Sequence, residues 1–521
     1  MTNRGMKDQP RMLLMTLVCL TMFSISFAQE KNLILNNTLL KEEVQYYNSI
    51  DGEAVVNYVS NKDSYDWLLK NIPLFECPDS VLQRTYYYRW WSFRKHLKQT
   101  PDGFIFTEFI EPVSHAGKYN AISCALGHHI YEARWLKDQQ YINQYIDFWL
   151  TKEPTYKPSK FHSFSSWLSD AVYGLYLVNH NDGQLAKWFP LLDKDYERWE
   201  GERQLSTGMF WQYDVKDGME ESVSGGRRIQ NRRPSINSYM YGNAKALAKM
   251  ASLFHNDSLT VKYDLKKEKL KRLVLDSLWD DTGKFFRTRH PDGTLAAREA
   301  IGFIPWYFDL PNDEATYGKA WLQLEDTAGF NAPWGITTAE RREPTFRTRG
   351  SGQSCEWDGA VWPFATTQTL KALANFLTEY KQNKQIDQSI FYEKLHQYAL
   401  SHQKNGQPYI GEYQDEKTGY WLKGDNPRSS FYNHSGFCDL IINDLVGLKP
   451  MAGDGILIKP LIPQNLWDWF CLDNIPYHGH ILTIVWDKTG NKYGKGKGLQ
   501  LFADGRKIAS SKKLDSLKAK L

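Results

Sequence analysis

Three stretches of this sequence carry the side chains that could do chemistry. Asp217-Gly218-Met219-Glu220-Glu221 sets two adjacent glutamates in a polar interval, and Glu412 stands in Tyr409-Ile410-Gly411-Glu412-Tyr413. Between them in the chain lies Ser354-Cys355-Glu356-Trp357-Asp358-Gly359-Ala360-Val361-Trp362-Pro363. Hydrolysing a glycosidic bond takes two carboxyl groups across the bond. One is protonated and gives its proton to the leaving oxygen; the other is ionised and activates water or attacks. Adjacent acids such as Glu220 and Glu221 favour different protonation states when both point into one cleft, because like charges raise one pKa. A solvated pair in a loop is the alternative. Indoles beside carboxylates, as in Trp357, Asp358 and Trp362, suit a sugar, whose C–H face stacks on a ring while its hydroxyls bond to oxygens. For that loop the alternative is a helix cap with aromatic packing.

Other side chains fall near these stretches. His115 and His162 stand in loops, where each either binds sugar hydroxyls or packs. Arg227, Arg228, Arg232 and Arg233 form a basic cluster that either grips an acidic sugar through bidentate contacts or balances the neighbouring acids. Gly225-Gly226 has neither the Walker spacing nor a preceding strand. No His/Cys/Asp cluster demands a metal, and no cofactor is implied. Cys77, Cys124, Cys355, Cys438 and Cys471 are far apart and odd in number, which gives no dense disulfide framework, and Cys124 and Cys438, within helical patterns, are expected to be buried free thiols.

The elements that would hold these loops are helices. Leu370, Leu373, Ala374 and Leu377 make one apolar face after Pro363, which fits a helix start. Further helical spacing runs over Val81–Leu97, from Tyr119 to Ala133, over Leu168–Leu175, Met240–Phe254, Leu265–Leu278, Glu314–Leu324 and Ile390–Gln403, and through Cys438, Ile441, Ile442 and Leu445. Gln212 to Pro234 reads as a long loop without structure, the kind that is usually functional or disordered. Trp279 to Phe286 reads as a tight hairpin. Ten to twelve helices with no βαβ alternation give a mainly α class, with paired helices wound into a closed ring. From Ile456 the period changes, and His480–Trp486 and Leu499–Phe502 read as strands of a small C-terminal β unit. The division is 1–28, 29–79, 80–452 and 453–521.

Composition bounds the partners. The chain has 521 residues and a formal charge of +4. Arg4, Lys7 and Arg11 precede an apolar run from Met12 to Phe27, and Ser26-Phe27-Ala28 is a small-x-small site before Gln29. This pattern predicts a cleaved secretory signal and a periplasmic or secreted product. No later segment has the apolar length of a membrane span. The near-neutral balance gives no reason to expect nucleic acid. Aromatics make up 14% of the chain, with 19 tryptophans, which suits a large core or a carbohydrate cleft.

Taken together, Gly218-Met219-Glu220 followed by Pro234-Ser235-Ile236-Asn237-Ser238-Tyr239-Met240-Tyr241 resembles the acid loop and following helix of glycoside hydrolase family 63 and its relatives. Those relatives are the family 37 trehalases and the mannosylglycerate and glucosylglycerate hydrolases. Trp357-Asp358-Gly359-Ala360-Val361-Trp362-Pro363 is similar to their Trp-x-Gly-Pro-x-Trp-Pro segment. Glu412-Tyr413 with Thr418-Gly419 resembles their base loop. The resemblance covers residues 80–450 and implies an (α/α)₆ toroid and inverting hydrolysis of an α-linked sugar at a chain end. It gives Glu220 the position of the general acid and Glu412 that of the base. Trp357, Asp358 and Trp362 match positions lining the sugar subsite, and His115, His162, Arg233 and Asn237 complete the candidate binding set. This chain departs in having Glu rather than Asp as acid, with Glu221 beside it, so the acid is either of the two. It also carries His115-Ala116-Gly117-Lys118 where the family has an aromatic-Trp-Asp segment. The implied partner is an oligosaccharide or glycoside. Two other readings are a polysaccharide lyase, which needs a Tyr or His base and a group neutralising a uronate, and a carbohydrate-binding protein without turnover.

Overall fold

The computed structural model describes residues 33–347, 349–352, 354–382 and 385–521. The expected signal segment lies outside them. Helices α1 (Thr38–Ile50) and α2 (Asn61–Asn71) pack on α3 (Ser80–Lys95). The Asp79 side chain starts α3 by accepting from the N–H groups of Val81 and Leu82 at 3.0 and 3.1 Å, donors that a first helical turn leaves unpaired. Thr85 to Lys95 are all buried, so α3 has no wet face beyond its first turns. It is covered by α1 and α2 on one side and by the helix Gln388–Leu400 on another.

From there inner and outer helices alternate, except that short turns over 315–324 stand in for an outer helix after Tyr307. In order come α4 (Leu126–Ala133), α5 (Gln140–Asp147), α6 (Leu168–Asn179), α7 (Asp182–Arg203), α8 (Pro234–Leu253) and α9 (Asp257–Leu278). The single turn α10 (Ile304–Tyr307), α11 (Pro363–Glu379), α12 (Gln388–Leu400) and the π-helical α13 (Leu440–Leu445) follow. Among the described residues α4, α6, α8, α10, α11 and α13 form the inner wall, each packed on the next. Composition separates the two layers. Inner α8 (PSINSYMYGNAKALAKMASL) is buried along nearly its whole length. Outer α9 is rich in lysine and buries only Tyr263, Leu270, Val274 and Leu278, one stripe of a 3.6-residue period.

The ring closes where α4 meets the start of α13. The Glu132 carboxylate accepts from the N–H groups of Phe437, Cys438 (3.1 Å) and Asp439 (3.4 Å). An acid at a helix N-terminus satisfies orphan donors and opposes the helix dipole. Arg134 adds an ion pair of 2.6 Å to Asp439. The fold is a mainly α (α/α)₆ toroid with a small C-terminal β unit.

Two local readings change. The helix expected from Tyr119 begins at Leu126, because Tyr119 and Asn120 adopt φ of 62° and 72°, which a right-handed helix cannot carry. The interval 212–234 is ordered, with a 3₁₀ turn at Asp214–Lys216 and a Gln212–Asn231 bridge. The hairpin of Trp279–Asp280 with Phe285–Phe286 is present.

The larger sheet of the β unit is antiparallel, ordered β1 (Leu74–Glu76), β2 (Trp469–Tyr477), β3 (His480–Asp487), β4 (Gly498–Ala503), β5 (Arg506–Ser511). Its first strand comes from the N-terminal segment, with Leu74 opposite Asp473. Asp473 also accepts from the N–H groups of Ile34 and Leu35 at 2.6 and 3.0 Å. Three residues are too few for a period-2 signal, so this strand is invisible in the sequence. A second sheet joins Leu448–Lys449, Gly455–Ile458 and Leu517–Lys520. No helix among the described residues is long and apolar enough to cross a membrane.

Candidate active site

The loops that carry the candidate carboxylates all run into N-termini of inner helices. Glu108 precedes α4, Glu220 precedes α8, the Trp357–Trp362 loop precedes α11 and Glu412 precedes α13. They therefore gather at one mouth of the ring. The helices α8 and α13 are third and sixth of the inner wall, so their loops approach from opposite sides.

The Glu220 loop rests on a buried ion pair. Arg233, fully buried, donates to Asp217 at 2.7 Å and to the Ser224 hydroxyl at 3.1 Å, and Ser235 also bonds Asp217. Gly218 lies against Cys124 with φ of 74°, and a Cβ there would sit 2.4 Å from Sγ, so a glycine is needed at this turn. The Trp357 N–H donates to the Glu220 carbonyl at 3.4 Å. The Glu220 side chain is partly exposed. Desolvation pushes its carboxyl up to about 7, against weaker pulls from a backbone N–H, Arg227 and Lys423. Glu221 behaves differently. It pairs with Arg349 at 2.6 Å and Arg227 at 3.1 Å, and those hydrogen bonds, Arg349 first, hold it below the usual carboxylate range. Glutamates adjacent in the chain thus have opposite electrostatic surroundings.

Glu412 is 3% exposed. Its Oε1 accepts from the Ser429 hydroxyl at 2.9 Å, and its Oε2 accepts from Lys423 Nζ at 3.1 Å. Lys423 also reaches Cys355 Sγ at 3.3 Å. A third carboxyl, Glu108, stands beside these two. Tyr432 donates to its Oε1, and its Oε2 has no hydrogen-bond partner among the described residues. Burial first, then the charges of Glu412 and Glu220, push it up to about 8 against the Tyr432 hydrogen bond. The Cys355 thiol is pushed up to about 11 by burial and by the same two glutamates, with Lys423 opposing. Glu108 and Cys355 each feel the charges of both Glu220 and Glu412, so these groups lie near one another. The arrangement sets two carboxyls of raised pKa near a third that is paired with an ammonium.

The indoles are less open than their sequence suggests. Trp357 and Trp362 are each 3% exposed. They stack on one another at 4.5 Å and 21°, and Trp362 stacks on Tyr413 at 4.5 Å and 13°. Trp362 is sandwiched, so neither of its faces can take a sugar, and its Nε1 donates to the Glu356 carbonyl at 2.9 Å. Asp358 is buried, with its carbonyl accepting from the Arg347 N–H at 2.7 Å.

Of the remaining candidates, His115 is exposed at the mouth and packs edge-on against Phe109. His162 does not join the site. It lies against outer helix α7, stacked on Trp199 at 4.2 Å and bonded to Asp195 at 2.8 Å and Glu202 at 3.0 Å. Burial pulls its pKa down, but the two carboxylates outweigh this and leave it raised. Arg233 and Asn237 are buried struts rather than substrate ligands. Asn237 spends its amide on Phe210 and the Arg233 carbonyl. Packing needs explain all three, and sequence spacing cannot tell a strut from a ligand.

Glu108, Lys423, Cys355 and Tyr432 were missed. For Glu108 a signal existed, because Gly103-Phe104-Ile105-Phe106-Thr107-Glu108-Phe109 places a lone acid in an apolar run, and lone buried acids cluster at functional sites. Lys423 had none.

Comparison with known proteins agrees with this architecture. A protein named "Sialidase" is 47% identical with a TM-score of 0.90; the match covers 93% of this chain and 45% of that one. The chain thus spans less than half the length of that relative. The GH63 mannosylglycerate hydrolase from Thermus thermophilus in complex with glucose has a TM-score of 0.52 at 11% identity, over 69% of this chain and 99% of that one. The GH78 family rhamnosidase of Bacillus sp. GL1 has a TM-score of 0.55 at 10% identity, over 80% and 40%. At such identities these two share the fold. Residues 449–509 match the C-terminal domain of glycosyl hydrolase family 65. Residues 118–435, with the Glu220, Trp357–Trp362 and Glu412 loops inside them, match the mannosylglycerate hydrolase MGH1-like glycoside hydrolase domain, and the chain belongs to that family of glycoside hydrolases.

Proposed function

We propose that this chain is an exo-acting glycosidase that cleaves with inversion, using Glu220 as general acid and Glu412 as general base. The carrying observation is the contrast between these two glutamates, whose charges both act on Glu108 and Cys355. Glu220 is half-buried and pushed up to about 7, so it still holds a proton near neutral pH. Glu412 has an ammonium at 3.1 Å on one oxygen and a hydroxyl at 2.9 Å on the other. In the proposed step a water attacks the anomeric carbon from the face opposite the leaving group, and Glu412 accepts one of its protons. The bond from that carbon to the glycosidic oxygen breaks, and Glu220 protonates the departing oxygen.

Loops approaching from opposite sides of the ring support a separation that leaves room for the water, as inversion requires. The resemblance to trehalases and mannosylglycerate hydrolases supports action at a chain end. Glu221, paired with two arginines, keeps the loop in place. The basic and then apolar N-terminal run supports export, tested by N-terminal sequencing of the mature protein.

A panel of α- and β-linked aryl glycosides tests the reading. It includes a sialoside, because the longer relative is named a sialidase. Early-time NMR of the product should show a single sugar released as the anomer opposite to that in the substrate. Retention would remove the inverting assignment, internal fragments would remove exo action, and no hydrolysis of any member would remove the glycosidase reading.

A further inference from the structure

Lys423 links the parts of this mouth. Its Nζ lies 3.1 Å from Glu412 Oε2 and 3.3 Å from Cys355 Sγ, and it sits 5.5 Å from the centre of the Tyr413 ring. Cys355 is two residues before Trp357, whose N–H bonds the Glu220 carbonyl. One ammonium therefore connects the Glu412 loop to the tryptophan loop, and through it to the Glu220 backbone.

The groups facing Glu412 show why a cation is needed there. Tyr409, Tyr413, Tyr432, Cys355 and Glu108 are neutral or anionic neighbours, each disfavouring a charge on Glu412 if ionised. His115 stands nearby at the surface. On the cationic side, Arg428 is 4.0 Å from Oε1 with its side chain 36% exposed. The Lys423 side chain is 12% exposed, so water screens its attraction less than that of Arg428. Burial draws the Lys423 ammonium down, and Glu412 and Cys355 more than restore it.

We infer that Lys423 is a positioning residue for the reaction proposed above, holding the Glu412 carboxylate in place through their ion pair while pinning the tryptophan loop. The inference rests on Glu412 being the base. Removing the cation makes Glu412 easier to protonate, so the acidic limb of the pH profile should rise.

The experiment measures kcat and kcat/KM against pH for Lys423→Met, Lys423→Gln and Lys423→Arg on the best aryl glycoside from the panel. Thermal unfolding is recorded for each. In the Met and Gln variants the acidic limb of kcat/KM should move up by about one pH unit or more, with kcat reduced about ten- to a hundredfold. Arginine keeps the charge but not the geometry, so Lys423→Arg should restore the limb while remaining slower than wild type. If the Met variant does not fold, the Gln and Arg variants decide by the same criterion. A fall in rate or melting temperature without movement of the limb would mean that Lys423 only packs. Failure of the underlying reading shows up separately, as wild-type turnover by Glu412→Gln.

Discussion

At the mouth built from inner-helix N-termini, Glu108 and Glu220 carry raised pKa values of about 8 and about 7. A cavity of about 370 Å³ at the opposite mouth is lined by Arg134, Lys371 and Lys449, and behind those cations Asp439 and Asp444 are buried as deeply as Glu108. There Asp439 receives Arg134 at 2.6 Å, Trp135 Nε1 at 2.7 Å and Lys371 at 3.2 Å. Asp444 receives Lys371 at 3.1 Å and Lys449 at 2.7 Å. Burial pushes Asp439 up, but Arg134 and Lys371 outweigh it and hold it below the usual carboxylate range. Depth is comparable at the two ends, and the supply of cations differs. One end spends its carboxylates on holding the ring together. The other leaves two of three carboxyls able to keep a proton, which suits proton transfer better than stability.

The largest break in this contrast should come from Glu412→Gln. Its turnover should fall by about 10²–10⁴ with the melting temperature kept, read by steady-state kinetics and calorimetry. Asp439→Asn at the far end should do the reverse. It strips a buried acceptor from Arg134 and Lys371 and should cost about 3–5 kcal/mol of stability in denaturant unfolding, with kcat of the folded fraction preserved. Raising the pH probes the proton itself. With Glu220 titrating at about 7, kcat/KM should fall about tenfold for each unit well above that value.

Glu108→Gln sharpens the comparison on the stability side. The folded carboxyl titrates at about 8 and its ordinary value is 4.5, so between these the folded state holds a proton that the unfolded chain has released. Wild-type stability is therefore lost as pH rises through this window, by at most about 1.4 kcal/mol per unit. Glutamine escapes that loss, and its melting temperature should gain on wild type between pH 5 and pH 9. The smallest effect belongs to Lys245→Ala. Its pair with Asp309 at 2.7 Å is 25% and 37% exposed, and the change in unfolding free energy should stay below about 1 kcal/mol.

Much of the helical ring was legible because inner and outer helices write different patterns, as α8 and α9 do. The loops bearing Glu220, Trp357 and Glu412 were legible because polar intervals interrupt those patterns. What stayed hidden depends on contacts across long sequence distances. Lys423 becomes meaningful only when Cys355 arrives beside it, and Arg233 looks like a ligand until Asp217 and Ser224 enclose it. Flat rings predicted an open stacking face at Trp362, and Tyr413 covers it. Periodicity reports which side of an element is buried and is silent on what buries it.

The strand around Leu74 pairs with one around Asp473, and this has a consequence for biosynthesis. At about 5–20 residues per second, the ribosome delivers the partner strand on the order of 20–80 s after the first has emerged. Throughout that delay Phe75, fully buried at the end, has no sheet to enter. Nascent chains should therefore depend on a holding chaperone, and a polypeptide stopped before residue 469 should aggregate through this uncovered edge.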